Sequence, residues 1–304
     1  MNTEKENILL QFMDSHPRHT KNIVTDAISS LIEKSVEMIL LWRKENPNAE
    51  EADCISQCNL QMATCTAQSI LSLAKGIHWG YHSTFLIDVH SCASLVRALY
   101  ERAFIFRNIY VSTDNVLERD LLLYIWEIRG LNNRVNLKNV TESFRHIQLY
   151  DKNSVEELRR NLSDIVGCLD TTKSAREQIS HAIKKNTSQL KGFKFVKDHE
   201  RIIQFESISL EESPLYFFKD DNMRDCYTYL SLTSHPSYLG ILQFGQRYKE
   251  RDDEKELVHI YLSLTYHLLS ELVLDFCKAT TNAEKYYETL YPFTERYVIE
   301  KNNC

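Results

Sequence analysis

Tyr227, Ser231 and His235 follow one another at four-residue steps in the stretch YTYLSLTSHPSYLG, residues 227–240. On a helix such steps stack the polar tips into one ladder. Pro236 ends a helix there, because proline disfavours helical backbone in the residue before it. His235 is then left beside the terminal carbonyls, where the helix dipole favours imidazolium. A histidine so placed is either a cap on the helix or a general acid or base held in one orientation. Arg97 and Glu101 form a second candidate, one turn apart in LVRALYE (95–101) and flanked by apolar residues. An ion pair on so apolar a helix is at least partly buried, and losing one partner of a buried pair costs roughly 3–5 kcal/mol. The pair is therefore either a structural clasp or a site at which a cation meets substrate.

A third row, His259, Ser263, His267, Glu271 and Asp275, steps by four along ELVHIYLSLTYHLLSELVLDF. It is either the wet side of an amphipathic helix, opposite Leu262, Tyr266, Leu269 and Val273, or a group in which His259, His267 and Glu271 bind metal or move protons. Cys54, Cys58 and Cys65 lie along one side of a predicted helix and read as small buried hydrophobes, since no nearby Cys or His completes a zinc spacing. His78 and His82 are flanked by Gly76 and Gly80, too loose a setting for a rigid metal pair. Phosphate-cradling Gly-rich loops, G-x-S-x-G and H-E-x-x-H are all missing. No cofactor and no metal is expected.

The elements that must position these groups are helical. Glycine (7) and proline (5) are too scarce for a turn-rich β architecture. Helices are predicted over 22–42, closed by Asn46-Pro47-Asn48, and over 52–75, followed by a connection at 76–83. Residues 88–112 and 115–129 are apolar around most of their circumference, as centrally buried helices are. Shorter helices are predicted over 138–149 and, behind a Ser154–Glu157 capping box, over 155–169. Residues 171–191 are polar enough for an exposed arm, and 192–222 lose helical periodicity, with FKFV and RIIQFESI as short strands. Helix returns near Met223, breaks at Pro236, and resumes at 254–279 before a terminal helix and tail at 282–304. The expected fold is an all-α multi-helix bundle forming one domain over 1–304, its core about 20–280 and an arm at 150–191.

The chain has 304 residues, 43% of them hydrophobic and 26% charged, with a formal net charge of −6. That excludes a globally basic nucleic-acid binder but not a local basic groove for RNA. No uncharged apolar run approaches the roughly 20 residues that span a bilayer. The opening MNTEKENILLQF lacks a basic start and a small-residue cleavage pattern, so a cytoplasmic protein away from membranes is expected.

An apolar helix bearing Arg97-x-x-x-Glu101, then Tyr227-x-x-x-Ser231-x-x-x-His235-Pro236-Ser237, then a long apolar helix, resembles a widespread all-helical bacterial family catalogued as a domain of unknown function. The resemblance spans roughly residues 60–280, the extent of one domain, and implies an all-helical fold. A looser similarity is to the HEPN class of helical toxins and defence ribonucleases, in which an arginine and a histidine a few residues apart act on RNA without metal. Arg176 and His181 have that spacing but sit on a polar helix, so the active groups by this similarity are Arg97, Glu101 and His235. The first functional expectation is thus a metal-independent ribonuclease of a toxin or phage-defence system: His235 as acid or base, Arg97 stabilising charge, Glu101 orienting it, Tyr227 and Ser231 positioning RNA. The second is a non-catalytic helical module that binds a partner protein, a second copy or a small ligand.

Overall fold

Apolar residues at three- and four-residue steps set the helices one by one. The structure is a computed structural model that describes residues 20–79, 84–184, 191–218, 225–234, 237–249 and 252–302. It is all-α, with short antiparallel hairpins as its strands. The chain divides into two compact units, Met1–Phe106 with Pro214–Cys304, and Arg107–Ser213.

In the first unit, α1 (Thr20–Glu45), α2 (Glu51–Ala74) and α10 (Asp252–Ala279) pack on one another. Ile28, Met38 and Trp42 of α1 meet Leu60, Ala63, Ala67 and Ile70 of α2 and Leu269, Val273 and Phe276 of α10 in a fully buried core. Asn46 stops α1, its side chain donating to the Trp42 carbonyl at 2.8 Å. Gly76, at φ 86, turns the chain after α2, a backbone position that favours glycine. The connection expected at 76–83 begins as β1 (Ile77–Trp79), which pairs with β2 (Thr84–Leu86). Trp42 donates its indole N–H to the Thr281 carbonyl at 2.8 Å, and Ser56 meets Thr280 at 2.6 Å. These bonds tie down the turn after α10. The expected terminal helix is two, α11 (Glu284–Leu290) and α12 (Phe293–Asn302). By length and composition Leu257–Ala279 would also cross a membrane, and its burial against α1 and α2 accounts for that apolarity as a core helix.

The cysteine expectation is overturned. Cys58 and Cys65 are exposed and Cys54 is half-buried, because the inward side of α2 is occupied by leucine, isoleucine and alanine. The buried thiols lie elsewhere: burial pushes Cys92 up to about 12 and Cys226 up to about 11, so both stay protonated at neutral pH.

The chain continues through α3 (Val89–Tyr110), which reaches the second unit. That unit holds α4 (Val116–Val135), α5 (Glu142–Cys168), α6 (Lys173–Lys184) and the hairpin β3 (Gly192–Asp198)–β4 (Arg201–Ile208). Asn115 caps α4, accepting from the Glu118 N–H at 3.1 Å while Glu118 reaches back to the Asp114 N–H at 3.1 Å. This is a variant of the capping box, its return bond made one residue ahead of the cap. The apparent one at Ser154 is not: the helices expected over 138–149 and 155–169 are the single helix α5, and Ser154 donates to the Tyr150 carbonyl at 3.1 Å. No breaker interrupts residues 142–153, so the helix runs through the serine and leaves its hydroxyl to bond back one turn. The α4–α5 turn is held by Gln148, which donates to the Leu137 carbonyl at 2.8 Å, and by Arg134, which grips Asp151 with two bonds of 2.5 Å.

Helix α6 is polar in sequence yet buries Ala175, Ile179 and Ala182 and packs on β4. Gln178 helps hold it there by accepting from the Phe205 N–H at 2.8 Å. The strands expected within 192–222 are the β3–β4 hairpin, in register at Phe193↔Ser207 and Phe195↔Phe205. Asn108, almost fully buried at the end of α3, donates to the Phe193 carbonyl at 2.7 Å and accepts from its N–H at 3.0 Å.

Candidate functional site

After β4 the chain returns to the first unit through α7 (Pro214–Phe217), α8 (Cys226–Ser234) and α9 (Tyr238–Lys249). The α8 sequence CYTYLSLTS buries Cys226, Tyr227, Leu230 and Thr233, a stripe at three- and four-residue steps that fixes which way the helix faces. That stripe carries Tyr227 to Arg97 and Glu101 of α3. Arg97 donates Nε to Glu101 Oε1 at 2.9 Å and Nη2 to Tyr227 Oη at 3.0 Å; Tyr227 Oη in turn donates to Glu101 Oε1 at 2.9 Å. The guanidinium also lies 5.3 Å from the centre of the Tyr227 ring. Beneath the triangle is an aromatic floor: the Tyr100 ring sits 5.5 Å from Tyr227 and 5.3 Å from Phe217.

The three groups settle one another's charge. Burial works against the Arg97 cation, but the bonds to Tyr227 and Glu101 outweigh it and hold its pKa above the ordinary value. Burial pushes the Tyr227 hydroxyl up to about 12, with Arg97 opposing and Glu101 reinforcing. At neutral pH the phenol is therefore a proton donor and not a base. The triangle is not sealed, since the Arg97 and Glu101 side chains keep 21% and 28% of their exposure.

Of the other expected site residues, Ser231 is half-buried and stands outside the triangle. His235 and Pro236 lie outside the described residues. Ser237 accepts from the Gly240 N–H at 3.0 Å and so caps α9, which gives the serine of His-Pro-Ser a structural role. The α10 row does not gather. His259 is exposed; His267 meets the Phe217 carbonyl at 3.1 Å and stacks on Phe218; Glu271 and Asp275 are buried. The row is thus no continuous wet face: a four-residue step advances about 40° round the helix, which carries the C-terminal members into the core. Among the described residues no group of three or more His, Cys, Asp or Glu side chains is placed to hold a metal ion.

One residue was missed. His90 lies seven before Arg97 on α3, where helical spacing puts both on one face. It contacts the same helix, Nδ1 meeting the Thr233 carbonyl at 3.2 Å, while its buried Nε2 has no hydrogen-bond partner. The i, i+7 spacing from Arg97 was the signal that could have found it.

Fold and site together define an all-helical protein in which helix α3 is clasped to α8 by an Arg–Glu–Tyr triangle. The model of the Family of unknown function (DUF5677) matches residues 60–255, and the chain belongs to that family. The match takes in Arg97, Glu101, Tyr227, Ser231 and His235, and stops short of His259, His267 and Glu271. No curated protein and no solved structure matches the chain.

Proposed function

We propose that this chain is a non-catalytic helical binding module in which Arg97, Glu101 and Tyr227 form a structural clasp. The observation that carries this reading is the closure of the triangle, in which the arginine's forked donors are already committed to a carboxylate and a phenol. A phosphate would have to displace Glu101 to reach them. The clasp orients α8 and, beyond it, α9, where Tyr238, Ile241, Leu242 and Phe244 are exposed together with Tyr229 and Leu232 of α8. None of these side chains is charged. A two-fold contact lets such a surface cover itself, and the proposed occupant is a second copy of this chain. Sedimentation of the full chain is expected to give a dimer that Ile241→Glu dissociates. A monomer at about 100 µM, where even weak self-association registers, would overturn the assignment.

The clasp has its own test. Hydrogen bonds to charged groups contribute roughly 1.5–3 kcal/mol and neutral ones about 1. Arg97→Ala is expected to destabilise the protein by about 2 kcal/mol and Tyr227→Phe by about 1 kcal/mol. The double variant should lose less than the sum, because both remove the same bond. The phenol's raised pKa makes its contribution complete below pH 10 and lost as the pH rises towards about 12. Urea unfolding of the three variants measures all of this, and unchanged stability in both single variants would count against a clasp.

A second reading is the metal-independent ribonuclease of a bacterial toxin or phage-defence system, with RNA as substrate. It is favoured by the residual exposure of Arg97 and Glu101 and by the free ring nitrogen of His90 on the same face. Incubation of the purified protein with cellular RNA, with and without chelator, tests it. Cleavage that survives chelation and is lost in His235→Ala and Arg97→Ala would support it, and no cleavage removes it.

A further inference from the structure

The apolar stripe of α4 runs through Leu121, Leu122, Ile125 and Ile128, all buried, and the next position on that side is a cation, Arg129. Its guanidinium lies 4.8 Å from the centre of the Phe193 ring, and its Nε is buried without a hydrogen-bond partner. Among the described residues no carboxylate pairs with it. Burial pushes its pKa down, the mark of a cation taken out of water with no counter-ion supplied. A chain that needed only to fill space there would gain by a leucine or methionine, because a half-buried charge without a counter-ion loses hydration that nothing replaces.

Beside Arg129 is a cavity of ≈ 470 Å³ within the second unit. Helix α6 lines one side with Ser174, Gln178 and His181, and Lys191 stands just before β3. Gln178 spends its amide oxygen on the Phe205 N–H, which leaves its NH2 group as a donor. The groups on the walls are therefore mostly hydrogen-bond donors or cations. Glu177 is the one acid on the lining, and it is exposed. The floor is closed to stacking: Phe193 has Arg129 over its ring and Phe205 stacked against it at 4.8 Å. An occupant must then be recognised by its charge and its hydrogen-bond acceptors, and not by an aromatic face.

We propose that this pocket binds a small organic oxyanion, a phosphate monoester or a carboxylate, with Arg129 as the anchoring donor and Lys191, Ser174 and Gln178 as its supports. The planar guanidinium fork matches both oxyanions in bidentate fashion. A cavity of this size is in the range that holds small-molecule ligands. The site uses no residue of the clasp and stands whether or not the clasp reading does.

Titration calorimetry on the full chain in a chloride-poor buffer tests it, with inorganic phosphate, adenosine 5′-monophosphate and benzoate as separate probes. At least one probe is expected to bind with one site per chain. Binding of the phosphates but not benzoate names a phosphate ligand, and the reverse names a carboxylate. Arg129→Gln should weaken that binding at least tenfold and Lys191→Gln about threefold, while Arg97→Ala leaves it unchanged. If Arg129→Gln does not fold, the Lys191→Gln loss decides. No binding of any probe, or binding indifferent to both substitutions, overturns the proposal.

Discussion

Arg134→Ala is expected to destabilise the second unit strongly, and Asp151→Ala by distinctly less. The asymmetry comes from where the two partners sit. The Asp151 side chain is 0% exposed while that of Arg134 keeps 46% of its exposure, although two bonds of 2.5 Å join them. Without aspartate, the arginine swings into water and recovers most of its hydration. Without arginine, the carboxylate stays in the interior with its charge uncompensated, and the helix turn that holds it cannot open without parting α5 from α4. Arg134→Lys should lie between the two, keeping the charge and losing the fork. Urea unfolding gives the stabilities, and amide exchange along α4 and α5 locates the loss. Equal costs for the two alanine variants would show that Asp151 is not held in the interior.

Helix placement was legible because burial demands a three- to four-residue period, which α1, α2, α3 and α10 carry plainly. Helix boundaries were less so. Ser154-x-x-Glu157 has a cap's residues, yet capping needs a non-helical residue ahead of it, and nothing upstream of Ser154 breaks the helix. Asn115-x-x-Glu118 has the same form behind the Ser112–Asp114 turn, and there the cap forms. The cysteines of α2 show the limit of spacing arguments: their common side was read correctly, but which side faces the core depends on what α10 presents to it. The same holds for Glu271 and Asp275, whose helix turns them inward.

At the candidate site the residue types were legible and the meeting was not. Arg97-x-x-x-Glu101 is a local pair, set by one helical turn. Bringing Tyr227 to it depends on the stripe Cys226, Tyr227, Leu230 and Thr233 deciding the facing of a nine-residue helix. Asn108 and Arg129 were overlooked for a related reason. Each is one of several polar residues on its helix, and what singles it out is Phe193, 85 residues beyond Asn108 and 64 beyond Arg129, a separation over which local periodicity carries no information.

Asn108→Ala is the second large effect expected, a loss of about 2–4 kcal/mol from the second unit. The amide is 3% exposed and uses both ends on one residue, donating to the Phe193 carbonyl at 2.7 Å and accepting from its N–H at 3.0 Å. It thus does for β3 what a neighbouring strand would do, bracketing a backbone unit at a buried place. Truncation leaves both backbone groups without those partners, at about 1–3 kcal/mol for each group that stays unsatisfied. Asn108→Asp tests whether geometry alone is enough: it keeps an acceptor for the Phe193 N–H but turns a carboxylate oxygen towards the carbonyl, so it should fare no better than alanine. Hydrogen exchange at the Phe193 amide is the local readout, expected to quicken in both variants before the rest of the hairpin does. An alanine variant within about 1 kcal/mol of the parent, with that amide still protected, would mean that the backbone of β3 has found another partner and that Asn108 is dispensable to the hairpin.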